Sequence, residues 1–151
     1  MDRNAILNAM EKKAKAIFSE KSGYINEEMR GVMAVDIRNQ DYSGQWDSSC
    51  RNFGASFMDC KHEGELIIGN GVNFDAQVHG KIAYSRRTNK NSGTNYYQVL
   101  EFESFWMGSI ISDDGNCICA IAGLRGEDDV AIARAGINCY ESLKRGNAEM
   151  G

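Results

Sequence analysis

The sequence predicts an α+β domain in which helices at both ends of the chain cover a central antiparallel sheet. Apolar residues recur at helical spacing near both ends, over residues 4–19 and again after residue 127. Between these segments, strand-like runs are joined by turn-forming residues, which favours hairpins and an antiparallel sheet over a parallel one. The length of 151 residues is typical of one domain, so we expect residues 1–151 to fold as a single unit.

The two terminal helices are indicated by amphipathic stripes. In residues 4–19 the stripe includes Ile6, Met10, Ala14 and Ile17, joined by Leu7 and Phe18. The last helix is expected to begin near Glu127, where three consecutive acidic residues suit a helix N-terminus. Basic residues at 144 and 145 are expected to close this helix, with Gly146 just past its end and residues 147–151 frayed.

The clearest strand signal lies in the last third of the chain. Residues 100–112 are rich in aromatic and β-branched side chains, and residues 117–122 form a second apolar run. Residues 113–116 read Asp-Asp-Gly-Asn, a sequence that readily forms a tight hairpin turn. We therefore expect an antiparallel hairpin here.

Further strands and a central helix are expected upstream. Residues 31–38 resemble a buried strand, and residues 45–50 are expected to pair back onto it after a polar turn. Residues 74–87 have helical spacing, with Asp75 in the first turn and basic residues in the last. Residues 53–71 have no clear period and could form one or two short strands or an irregular flap. Whether residues 45–72 form a lid or part of the sheet stays open.

Composition restricts the classes of function. The net charge of −4 argues against nucleic acid as the main partner, and no apolar run approaches the ~20 residues of a membrane span. Charged residues interrupt residues 1–20, which argues against a secretory signal, so we expect a cytoplasmic protein with reduced thiols. The five cysteines include no Cys-x-x-Cys pair, and Cys117 and Cys119 are expected to pack in the core.

His79 is the first candidate site residue. It lies in the predicted helix 74–87, from which an imidazole can ligate a haem iron or a cobalt centre. The adjacent Gly80 costs a helix about 1 kcal/mol relative to alanine. Close approach by a flat ligand or by another backbone segment would explain this glycine. The alternative is an ordinary surface histidine.

Two other segments could contribute to a ligand site. An aromatic cluster could line a cofactor pocket, although such clusters are more often core or subunit interface; its members are Tyr96, Tyr97, Phe102, Phe105 and Trp106. Residues 123–126 precede a helix N-terminus whose free amides could hold an anion. The acidic residues 127–129 that follow would repel such an anion.

Catalytic signatures are weak in this sequence. It has no Gly-x-Gly-x-x-Gly, no phosphate-binding loop and no Gly-x-Ser-x-Gly. A cysteine–histidine pair can be drawn from five cysteines and two histidines, but no spacing selects one pair. His62 lies in a charged segment and is expected to face solvent.

Residues 108–129 carry a recognisable pattern. A glycine precedes a short strand and a turn, and an apolar strand then ends in a small residue and a second glycine before an acidic helix start. The matching residues are Gly108, Gly123, Glu127 and Asp128. This pattern resembles the GlcG/HbpS-like family, which includes the PduO C-terminal-like domain. Residues 133–143 are similar to that family's terminal helix, and weaker similarity covers residues 35–36 and 81–83.

The resemblance implies a profilin-like, three-layer α-β-α domain that assembles into homo-oligomers. Family members are linked to haem or corrinoid binding, so it implies a planar cofactor such as haem or cobalamin in a cleft between the central helix and the sheet. His79 would be the axial metal ligand and Lys81 a propionate partner, with Trp106 and Gly123 also at the site. Two alternatives stay open: a non-catalytic interaction or scaffold domain, and a cysteine-dependent enzyme.

Overall fold

The computed structural model describes residues 2–22, 30–39, 44–54, 60–62, 65–67, 73–94 and 99–150. The helices are α1 (Arg3–Ser22), α2 (Phe74–Thr88) and α3 (Gly126–Met150). The strands are β1 (Val32–Arg38), β2 (Trp46–Asn52), β3 (Cys60–His62), β4 (Glu65–Ile67), β5 (Ser109–Ile111) and β6 (Cys117–Ala122). Within the described ranges, no helix combines the length and hydropathy needed to cross a bilayer.

The main sheet has the strand order β2-β1-β6-β5, and every neighbouring pair is antiparallel. Strands β3 and β4 form a separate two-stranded ribbon. In the main sheet Ala34 lies opposite Cys50 on one side and Ala120 on the other. The antiparallel sheet expected from the sequence is therefore confirmed.

Helices cover both faces of the main sheet, because side chains along its strands alternate between two cores. Met33 and Val35 of β1 point into the core shared with α1 and α3. Val32 and Ala34 point the other way, into the core formed with α2. The predicted three-layer α-β-α arrangement is thus confirmed. Cys117 and Cys119 lie fully buried in the α1/α3 core, as expected.

The strand predicted over residues 100–112 is much shorter in the structure. Only Ser109–Ile111 pairs with β6, through the predicted hairpin, in whose turn Gly115 has a φ of +76°. Residues 102–104 instead lie beside α2, and the backbone N–H of Ser104 donates to the carbonyl of Gly80 at 3.0 Å. Strand propensity was overridden here because the segment packs on a helix and not on a strand.

The end of α3 also differs from the prediction. The helix continues through Gly146 to Met150, so Gly146 does not terminate it and residues 147–150 are helical. Gly146 does not have the left-handed φ of a helix-terminating glycine. A glycine inside a helix costs only about 1 kcal/mol, which the flanking helix-compatible residues tolerate.

Gly146→Ala should therefore stabilise the protein, by up to about 1 kcal/mol, because alanine is the better helix former and nothing lies within 4 Å of its new methyl group. Urea unfolding of the variant and the parent protein measures the difference. A destabilised variant would mean that Gly146 terminates the helix in a left-handed conformation after all.

Candidate functional site

An open groove of about 630 Å³ runs along the solvent-facing side of α2. Helix residues including His79 form one wall, and Phe102, Ser104 and Trp106 of the segment 99–107 form the other. This volume lies within the range of about 300 to 1,000 Å³ that small-molecule sites occupy. The structure thus brings together two of the four predicted site residues, His79 and Trp106.

Gly80 explains how the segment 99–107 approaches α2 so closely. A Cβ atom on Gly80 would lie 3.0 Å from the Ser104 Cβ and 3.4 Å from the Phe102 carbonyl oxygen. Arg87 of α2 holds the same segment by donating to Glu103 at 2.8 Å. The close approach predicted at Gly80 is therefore made by another backbone segment, which builds the groove wall.

Two aromatic side chains of this wall are exposed to solvent. Phe102 is 86% exposed and Trp106 is 63% exposed. The Phe105 and Trp106 rings stack with a centroid distance of 5.2 Å. The interpretation of these aromatic residues as plain core is therefore wrong for Phe102 and Trp106, while Tyr96 and Tyr97 lie outside the described residues.

His79 is exposed and has two potential metal ligands beside it. Its Nε2 lies 3.4 Å from Oδ1 of Asp75, one helical turn earlier, and the thiol of Cys50 donates to the same oxygen at 3.4 Å. One ligand atom from each of the three residues can be chosen so that all lie within 4.8 Å of one another. Although Cys50 as a residue is exposed, desolvation of its sulfur and the Asp75 carboxylate raise its pKa to about 11.

Lys81 lies on the opposite side of α2 from His79 and does not line the groove. Its Nζ donates to the carbonyl of Ile121 at 2.7 Å and lies 3.4 Å from Oδ2 of Asp129. The Lys81 side chain is 2% exposed and that of Asp129 is 5% exposed. Burial lowers the pKa of Lys81 and raises the pKa of Asp129 to about 7. A buried, engaged ammonium is not placed to meet a propionate in the groove.

Gly123 also does not line the groove, and it packs closely against the backbone of another segment. It follows β6 with a φ of +140°, and a Cβ atom there would lie 2.6 Å from the Arg30 carbonyl oxygen and 2.8 Å from the Gly31 Cα. The next amide, that of Leu124, donates to Oδ1 of Asp129 at 3.1 Å. The Asp129 carboxylate therefore already accepts from one of the amides at residues 123–126 that the sequence suggested for an anion.

The α2–sheet interface, where the resemblance implies a cleft, is filled with side chains. Phe74, Val78 and Ile82 of α2 pack there against small and aliphatic residues of β1 and β6. The groove lies on the other side of the helix. A ligand of this protein would therefore bind outside α2 and not beneath it.

None of the four cysteines with described side chains is an activated thiol. Burial raises the pKa of Cys117, Cys119 and Cys139. Burial and the nearby Asp75 carboxylate together raise the pKa of Cys50. Nucleophilic cysteines have lowered pKa values. The cysteine-dependent enzyme considered from the sequence gains no support from these residues.

Sequence reasoning missed Cys50, Asp75 and Asp129 as members of polar clusters. The spacing of Asp75 and His79, four residues apart in a predicted helix, was a usable signal. Cys50 could be added only once the β1–β2 register was known. At the start of α3, the resemblance singled out Glu127 and Asp128, but the buried acid is Asp129.

Comparison with solved structures finds the crystal structure of the Ybr137w protein, with a TM-score of 0.50 and 14% sequence identity. The match covers 93% of this chain and 79% of that chain. At this identity the likeness shows a shared fold and leaves function to be argued from the site. No protein-family model matches this chain, and no curated protein sequence matches it.

Proposed function

We propose that this protein binds a planar metal-containing cofactor of the haem or corrinoid class, with His79 as the residue that would hold its metal. The observation that carries the proposal is that His79 and Trp106, both exposed to solvent, line the same groove. The resemblance of residues 108–143 to the GlcG/HbpS-like family supports the same class of ligand.

The residues of the groove suit such a ligand in two respects. Phe102 and Trp106 offer apolar ring surface against which a flat macrocycle can stack. His79 offers an imidazole nitrogen to the metal, which supplies the redox or ligand-exchange chemistry when the cofactor is bound. Lys81 and Gly123 have no contact role in this proposal, because neither lines the groove.

Titration of purified, tag-free protein with haemin and with cobalamin tests the proposal. We expect a saturable change in the visible absorption spectrum, and at least about tenfold weaker binding in His79→Ala because the residue that would hold the metal is lost. His62→Ala is the matched control, since it removes the other histidine and should bind as the parent protein does. Equal affinity in His79→Ala, or no spectral change with either compound, would contradict the proposal.

A second candidate, a cytoplasmic homo-oligomeric interaction domain without a cofactor, is favoured by one observation. Leu100, Phe102, Trp106 and Met107 are large apolar side chains that are 41% to 86% exposed within one short segment. Contiguous exposed apolar surface is characteristic of interaction sites. Measurement of the molar mass by light scattering during the titration separates the two candidates. A stable oligomer that takes up neither compound would favour this second function.

A further inference from the structure

We propose that Cys50, Asp75 and His79 form a binding site for a divalent transition-metal ion, with zinc the best match. This site goes beyond the cofactor groove, because it would hold a free ion and takes two of its three ligands from residues outside that groove.

The fold places the three side chains together from two packed elements. Asp75 and His79 are four residues apart on α2 and therefore lie on the same face of the helix. Cys50 lies opposite Ala34 in the β1–β2 ladder, and Ala34 belongs to the sheet face that α2 covers. Because β2 is the outermost described strand of the main sheet, Cys50 lies near the rim of the helix, and it is exposed to solvent.

The distances resemble those between ligands of one tetrahedral ion. Zinc bonds of about 2.0 to 2.3 Å place neighbouring ligand atoms roughly 3.3 to 3.7 Å apart. Two of the three separations, from Asp75 Oδ1 to the Cys50 sulfur and to the His79 Nε2, are 3.4 Å. The third separation, between the Cys50 sulfur and a His79 nitrogen, is at most 4.8 Å, and both residues are exposed. This separation would have to be about 3.7 Å or less for both atoms to bond one ion.

The chemistry of the ligands selects the ion. A thiolate, an imidazole and a carboxylate together suit zinc or cobalt, whereas magnesium and calcium prefer oxygen ligands alone. On binding, the Cys50 thiol releases its proton to solvent and the sulfur bonds the ion, which replaces the proton that Cys50 now shares with Asp75. Three protein ligands leave the fourth position of the ion to water.

The metal site and the cofactor groove share His79, but they can be separated by experiment. A zinc ion held by this imidazole should weaken haemin binding, because both metals need the same side chain. Cys50 does not line the groove, so Cys50→Ser should lose the ion and keep haemin. Failure of the zinc site and failure of the cofactor proposal therefore give different results.

Cobalt titration of the reduced, tag-free protein tests the metal site. The parent protein should bind one Co²⁺ per chain and develop the near-ultraviolet absorption band of a cobalt–thiolate bond. Cys50→Ser should lose this band and bind Zn²⁺, measured by competition with a chromophoric chelator, at least about 100-fold more weakly. Asp75→Asn and His79→Ala should each weaken Zn²⁺ binding by about tenfold or more.

Cys139→Ser is the matched control, because it makes the same substitution at a half-buried cysteine of α3 and should retain both the band and the affinity. Persistence of the band in Cys50→Ser, its loss in Cys139→Ser, or a parent protein that binds no Co²⁺ would overturn the proposal. Circular dichroism of each variant confirms that a lost band does not reflect unfolding.

Discussion

Lys81→Met should lower the free energy of unfolding by about 3 to 5 kcal/mol, because it leaves the carboxylate of Asp129 buried without its cation. The Lys81 side chain is 2% exposed, so water cannot replace the ammonium group. Lys81 also donates to the carbonyl of Ile121, and this bond is lost in the variant. The pair connects α2, β6 and α3, so the loss reaches all three layers of the fold.

Chemical denaturation of Lys81→Met measures this effect, and Lys12→Met is its control. Lys12 is exposed on α1, so the same substitution there should change stability by no more than about 0.5 kcal/mol. A Lys81→Met variant that matched this control would show that the buried pair contributes nothing to stability.

The pH dependence of Lys81→Met distinguishes a lost charge from lost packing. Burial raises the pKa of Asp129 above its unfolded value, and removing the ammonium raises it further. A native carboxyl with a raised pKa holds a proton that the unfolded chain has released, so native stability falls as the pH rises through that interval. The deficit of the variant should therefore be smaller at about pH 5 than at about pH 8. A deficit independent of pH would indicate lost packing instead.

A double variant that removes both charges of the Lys81–Asp129 pair tests whether the unpaired Asp129 carboxylate causes the loss of stability. Lys81→Met combined with Asp129→Asn removes both buried charges and keeps a side-chain oxygen that can accept from the Leu124 N–H. Because no unpaired carboxylate is then buried, the double variant should recover much of the stability that Lys81→Met loses.

The sequence predicted the layers of this fold better than it predicted the groove. Apolar periodicity identified α1, α2 and α3, since a helix that packs on a sheet needs one continuous apolar face. The segment 99–107 was misread because its aromatic residues favour a strand, whereas Gly80 lets the chain pack against α2. That contact joins residues over 20 positions apart, which local periodicity does not report.

For the candidate sites too, the residues recognised from the sequence were those with a local signal, and contacts between distant parts of the chain were missed. His79 was proposed as a ligand from the sequence because a histidine beside a helical glycine is a local feature. Cys50 was not, because its proximity to His79 depends on the pairing of β2 with β1 and on the packing of α2 across that sheet. Lys81 was assigned to the ligand because of the resemblance and its place on the central helix, but its ammonium is enclosed by β6 and α3.

Gly123→Ala has the second large expected effect, and it tests whether this glycine serves the fold or a ligand. A methyl group at Gly123 would lie 2.6 Å from the Arg30 carbonyl oxygen and 2.8 Å from the Gly31 Cα. Both contacts are with backbone, so no side-chain rotation relieves them. The φ of +140° adds conformational strain for any residue with a Cβ atom.

We expect Gly123→Ala to lose about 2 to 6 kcal/mol of stability, the sum of about 1 to 3 for backbone strain and about 1 to 3 for overpacking. Denaturant unfolding measures the loss, and Gly44→Ala is the matched control because nothing lies within 4 Å of its added methyl group. If Gly123→Ala instead unfolds like the parent protein but binds haemin more weakly, Gly123 belongs to a ligand site. If it is destabilised as expected, the fold requires the glycine at this position, where the end of β6 meets the chain that enters β1. The glycine at 123 in the pattern over residues 108–129 would then be explained by the fold and not by a ligand.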